Sequence, residues 1–113
     1  MKSRIMYVER KDSVMSAEAR IGRVTFSKTG RTLHYQGKQF QTLAGTGFKS
    51  NYYDIVSGEE YWISGCKRNG ADALYSAIVE IDEDVREEYW TMIRNQPESK
   101  GVKSVKCKGK YSK

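Results

Sequence analysis

Apolar residues in this chain recur mostly at every second position, in short runs separated by glycine-bearing turns. That is the pattern of half-buried β-strands. Arg4–Arg10 (RIMYVER) alternates loosely and predicts a first strand. Arg20–Ser27 (RIGRVTFS) predicts a second, in which Gly22 breaks the alternation as a bulge would. A turn at Lys28–Arg31, built around Gly30, leads into Thr32–Gln36. Gly37-Lys38 predicts a tight reversal into a return strand, Gln39–Leu43, followed by the flexible connection Ala44–Gly47. The densest stretch is Phe48–Arg68. Its two arms, Tyr52–Val56 and Glu60–Ser64, are aromatic and β-branched, and Ser57-Gly58-Glu59 between them predicts a hairpin. The register of that hairpin stays open. One setting buries Tyr53 and Ile55, and the other buries Tyr52, Asp54 and Val56. Asn69-Gly70 marks a further turn, and Tyr75–Ile81 a further strand.

The period changes from two to 3.6 at Asp82–Arg94. Val85, Tyr89, Met92 and Ile93 share one helical face. Asp82 stands at the N-cap position, Glu83 and Asp84 complement the positive helix end, and Asn95 and Pro97 stop the helix. Five to seven short strands followed by one late helix predict a mostly β domain. Its expected form is a small antiparallel barrel or roll of the Src-homology-3-like kind, with one C-terminal helix. Residues 1–95 form that domain, and 96–113 a basic tail. The tail reads in two ways. It is a disordered lysine arm, or it is an edge strand in which Val105, Cys107, Gly109 and Tyr111 alternate with Lys106, Lys108 and Lys110.

Charge sharpens the division. Residues 1–50 hold ten Lys/Arg against three acids, residues 51–94 four against ten, and residues 95–113 six lysines against Glu98. The domain is thus nearly neutral and the tail supplies most of the formal +6. A bipolar body with a basic extension points to an anionic partner or to self-association. No apolar run approaches the roughly 20 residues that span a bilayer. The start, MKSRIMYVERK, lacks the apolar stretch of a secretory signal. A cytoplasmic protein that meets no membrane is therefore expected. Cys66 and Cys107 are far apart in sequence and read as two reduced thiols.

Three segments carry a resemblance: RIGRVTFSKTGRTLHYQG, FKSNYYDIVSGEEYWISGCKRNGADALY and IDEDVREEYW. In that order they resemble a family of short bacterial proteins with no assigned activity. The similarity spans roughly residues 20–95, so the lysine tail lies outside it. Some members carry a label borrowed from 1-deoxy-D-xylulose-5-phosphate synthase. A thiamine-diphosphate enzyme is far longer and needs diphosphate and metal sites that this chain lacks.

Candidate chemistry is sparse. His34 is the single histidine and sits in a strand run, where a half-buried sheet residue explains it. Pairing it with Cys66, beside Lys67 and Arg68, would make a thiolate site, but a small apolar residue at a strand end explains Cys66 as well. His34, Cys66 and Cys107 lack chelate spacing, so no metal and no cofactor is expected. Gly45-Thr46-Gly47 before Lys49-Ser50 lacks the spacing of a phosphate loop. The acids from Asp82 to Glu88 fit a helix start and its solvated face. What remains is a binding face. Tyr52 and Trp62 would stack nucleobases beside Lys49, Lys67 and Arg68, while Lys100, Lys103, Lys106, Lys108 and Lys110 contact phosphates. The expectation is a non-enzymatic module for nucleic acid or another polyanion. The alternative is a module for an acidic protein or a homodimer, with a small enzyme third.

Overall fold

Every residue from Ile5 to Val8 is buried, so the strand that holds them is covered on both faces. Ile5 and Tyr7 belong to one apolar cluster, Met6 and Val8 to another. The computed structural model describes residues 2–11, 19–43, 50–70 and 77–107. The strands are β1 (Ser3–Lys11), β2 (Ala19–Phe26), β3 (Thr32–Tyr35), β4 (Lys38–Thr42), β5 (Tyr52–Asp54), β6 (Glu60–Gly65), β7 (Ala77–Ile81) and β8 (Ser104–Cys107). The sheet order is β1-β6-β5-β4-β3-β2-β7-β8, and an additional β1–β2 pairing closes the first six into an antiparallel barrel. The fold is mostly β, a small barrel of the Src-homology-3-like kind with two added strands and one C-terminal helical segment. No helix among the described residues is long and apolar enough to cross a membrane.

The two clusters are the inside and the outside of the barrel wall. Met6, Val8, Val24, Leu33, Tyr35, Phe40, Tyr61 and Ile63 fill the interior. Phe40 and Tyr61 meet there edge to face, with centroids 4.6 Å apart. Ile5, Tyr7 and Ile21 face outward and are covered by Val79, Ile81 and Val105 from β7 and β8 and by Val85, Tyr89 and Trp90 from the helical segment. The start of β2 makes this possible, because β3 pairs only with Thr25 and Phe26 at its end. β7 joins β2 by a short parallel ladder, Arg20↔Glu80 and Ile21↔Ile81. The added strands therefore leave the barrel at that point and fold back over its outer face.

Several expectations change on contact with this packing. The β1–β2 register runs unbroken from Ser3↔Thr25 to Glu9↔Ala19, so Gly22 is no bulge. Its missing side chain makes room for the Tyr35 ring and the Asp82 carboxylate. The hairpin register is the one that turns Tyr52 and Asp54 inward, but the strand ends at Asp54. Val56 lies in the turn and is 90% exposed. Asp54 makes that early exit possible: its Oδ1 accepts the Val56 amide at 2.9 Å and the Ser57 amide at 3.4 Å.

The helical segment is not one regular helix. A 3₁₀ turn (Glu83–Val85) and one α turn (Arg86–Glu88) run into a π turn (Tyr89–Ile93). The Arg94 amide donates to the Tyr89 carbonyl five residues back. That extra residue shifts the buried face, so Trp90 turns inward and Met92 is left 77% exposed. Asp82 makes no cap hydrogen bond; its carboxylate is used elsewhere. The disordered-arm reading fails for the described part of 96–113. Pro97–Ser99 forms a turn, and β8 pairs antiparallel with β7. The indole of Trp90 donates to the Val102 carbonyl at 3.0 Å. Val105 is buried, as the edge-strand reading requires. The reading of Ala44–Gly47 as a connection falls outside the described residues.

The Asp54 turn carries a pH-dependent prediction. The Val56 amide, the largest cause, holds the Asp54 carboxyl below the usual aspartate range. A depressed folded value stabilises above the unfolded pKa and is lost as pH falls through the folded one. Asp54→Ala is expected to cost about 1 kcal/mol at neutral pH, with the gap from wild type narrowing below about pH 4. Urea unfolding at several pH values checks this, and a gap that widens in acid refutes it.

Candidate functional site: a cationic barrel mouth

Side-chain parity builds a site at one end of the barrel. On β1 the inward positions are Met6 and Val8, and the next one is Arg10. On β2 they are Val24 and Gly22, and the next is Arg20. On β4 Phe40 points in, and Lys38 is its neighbour of the same parity. β1 runs toward this end, β2 starts from it, and β4 starts from it after the β3–β4 turn, so three cations meet where the apolar filling stops. They border a recess of about 60 Å³ with Tyr35, Gln36 and Tyr61. The turn beside it, Gln36-Gly37, has φ of 49° and 77°. Two positive values in succession make the two-residue reversal that suits a twisted hairpin.

Tyr35, Asp82 and Arg20 are tied together at the rim. The Tyr35 hydroxyl donates to Asp82 Oδ2 at 2.5 Å, and Arg20 Nε donates to Asp82 Oδ1 at 2.6 Å. Arg20 also lies 3.4 Å from Glu80. Burial, and then the Asp82 bond, push the Tyr35 phenol well above its ordinary range. Tyr35 is therefore a proton donor at any physiological pH, not a base or nucleophile. The bond to Asp82 likewise raises the Arg20 guanidinium. Arg10 meets Glu59 at 3.2 Å. Lys38 Nζ donates to the Tyr61 hydroxyl at 3.2 Å and lies 5.8 Å from the centre of that ring. That hydrogen bond is the main reason its ammonium is held above the ordinary lysine value. The mouth thus gathers fixed positive charge beside two phenols, one of which already gives its proton to Asp82.

The residues expected to form a site fall elsewhere and do not form one cluster. Tyr52 is partly buried against the barrel interior, and Trp62 against the outer core. Tyr61 is buried between them in sequence. Lys67 and Arg68 are exposed in the turn after β6. Lys100, Lys103 and Lys106 are exposed on the C-terminal segment. Contacts link these last two groups. Gly70 backs onto the Arg94 guanidinium, Arg94 lies 5.3 Å over Trp90, and Trp90 holds Val102. Lys49, Lys108 and Lys110 lie outside the described residues. His34 on β3 and Cys66 after β6 are not brought together: two strands separate β3 from β6 either way round the barrel. Among the described residues no three His, Cys, Asp or Glu side chains gather as metal ligands would.

No family model, curated protein or solved structure matches this chain. The reading of the site therefore rests on its own geometry. Arg10, Arg20 and Lys38 were not among the expected site residues. The signal for them is a cation at the last inward position of an alternating strand, which becomes readable only when the strand ends and pairings are known.

Proposed function

We propose that this protein is a non-catalytic module that binds a polyanion, nucleic acid foremost, along its lysine-bearing C-terminal edge. The observation that carries this is the state of Lys100, Lys103 and Lys106. All three are exposed and none is matched by a carboxylate among the described residues. β8 fixes the backbone of Lys106, the Ile81 amide holds the Lys103 carbonyl, and Lys100 caps the Pro97–Ser99 turn, so the three charges stand on ordered backbone. Lys67 and Arg68 extend the basic surface through the Arg94–Trp90 link, and Lys108 and Lys110 continue it in sequence. A cytoplasmic setting and membership of the short bacterial family over residues 20–95 belong to the same proposal; neither adds an activity.

Engagement of about five phosphates gives a log–log salt slope near −4 to −5. Fluorescence anisotropy with a labelled duplex oligonucleotide measures it. The Lys100→Ser/Lys103→Ser/Lys106→Ser variant is expected to weaken binding more than tenfold and to flatten the slope by about 3. A wild-type slope near zero overturns the proposal. A second reading is a protein-interaction module or homodimer. It is favoured by the position of β8 at the end of the sheet, next to Ile78, which is 78% exposed. It predicts a mass that rises with concentration in light scattering, and no oligonucleotide binding.

A further inference from the structure

We propose that the barrel mouth is a separate binding site for one phosphoryl group, gripped by Arg10, Arg20 and Lys38. The argument begins with composition. A barrel end needs polar side chains where its apolar filling stops, and acids or amides would serve. Here the three same-parity positions on β1, β2 and β4 are all cationic, and among the described residues no carboxylate lines the recess. Asp82 and Glu59 hold Arg20 and Arg10 from the rim, which orients the two guanidinium groups. Lys38 is different: it donates to a phenol, and no carboxylate lies within ion-pair distance among the described residues. Asp54 and Glu59 act on its charge only from beyond ion-pair distance, so an ammonium whose hydrogen-bond acceptor is neutral is placed to gain from an incoming anion.

Geometry narrows the anion. The donors come from three different strands and surround the recess rather than lying in one plane. A tetrahedral oxyanion can accept from all of them at once, whereas a planar carboxylate is satisfied by a single guanidinium fork. A recess of about 60 Å³ takes one such group and leaves no room for a sugar or base. The rest of the ligand must extend into the adjoining cleft, which shares Arg20, Tyr35 and Gln36 and is bordered by Asp82, Glu83 and Asp84 and by Arg23, whose charge is matched by Glu88 at 2.7 Å. Those carboxylates repel a second phosphate. The ligand class is therefore a phosphomonoester with an uncharged or amine-bearing body, not a diphosphate.

The test uses the full chain and titrates inorganic phosphate by calorimetry, with ³¹P NMR as a second readout. Saturable binding is expected, weakened about tenfold or more in Lys38→Met and kept within about threefold in Lys38→Arg. Tyr61→Phe removes the hydroxyl beside Lys38 and is expected to weaken binding by less than Lys38→Met. Urea midpoints of the Lys38 variants should match wild type, since that side chain is exposed. O-phosphoethanolamine is expected to bind at least as well as phosphate, and pyrophosphate less well. Absence of saturable phosphate binding overturns the assignment, and so does a Lys38→Met variant that binds as wild type does. Pyrophosphate binding more tightly than phosphate overturns the single-group assignment. The triple lysine variant of the C-terminal edge separates the two proposals. If it abolishes phosphate binding and Lys38→Met does not, the mouth is not the site and the edge reading stands.

Discussion

Gly22→Ala is expected to lower the free energy of unfolding by about 3 kcal/mol or more, although alanine in a strand normally stabilises relative to glycine by about 0.5–1 kcal/mol. The reversal of sign comes from the space above residue 22. A Cβ there would sit 2.5 Å from Tyr35 Cε1 and 2.8 Å from the Tyr35 hydroxyl, and closer still to Asp82 Oδ2. Tyr35 is buried with its ring in the barrel interior, and its hydroxyl is tied to Asp82. Neither group can yield without breaking the bond that holds the rim together. Urea denaturation checks the prediction as a drop in midpoint at constant slope. A variant as stable as wild type would show that the Tyr35–Asp82 arrangement yields at little cost.

Asp82→Ala is expected to cost about 3 kcal/mol, the second largest effect. The substitution removes the acceptor of both the Tyr35 hydroxyl and Arg20 Nε, and leaves a buried phenol and a guanidinium with one fewer carboxylate. Arg20 keeps Glu80 at 3.4 Å and about a third of its side chain meets solvent, which limits its share. The phenol has no such relief. Tyr35→Phe alone should therefore cost less, about 1 kcal/mol. The Asp82→Ala/Tyr35→Phe double variant should cost less than the sum of the two, because the orphaned hydroxyl is gone. Strict additivity in that cycle would mean that the two side chains are energetically independent.

Both effects arise from one construction. Asp82 follows β7, whose parallel ladder with β2 ends at Ile81. The chain there turns across the barrel mouth, and the Asp82 amide donates to the Ile21 carbonyl. From sequence, Asp82 has every mark of a helix N-cap: an acid before an acidic first turn and an apolar face. Its carboxylate goes to Tyr35 and Arg20 instead, since a charged hydrogen bond in a sheltered site outweighs a solvent-facing cap. Gly22 was misread for the same reason. Its partners come from positions 35 and 82, and local alternation carries no information about them.

Legibility followed the range of the forces involved. The strands, their turns at Gly30, Gly37 and Gly58 and the late helical segment could be read from alternation and turn chemistry, because backbone geometry and local burial settle them within a few residues. The buried phase of the helical segment could not, because a π turn displaced Met92 in favour of Trp90 to fill the outer core. The tail presented two balanced readings, and Val105 decided between them only by finding a hydrophobic slot on β7 and the barrel wall. Arg10, Arg20 and Lys38 looked like ordinary strand-end cations.

By itself the order of residues determined a small β-rich domain with short turns, one late helical segment and a cationic C-terminus, since those properties depend on side-chain period and charge along the chain. Only the tertiary structure decided that β1 is sandwiched between two cores, that Gly22 yields its space to Tyr35 and Asp82, and that three cations share one barrel mouth. Barrel closure brings residues distant in sequence within hydrogen-bonding distance, and no local pattern encodes which of them will meet.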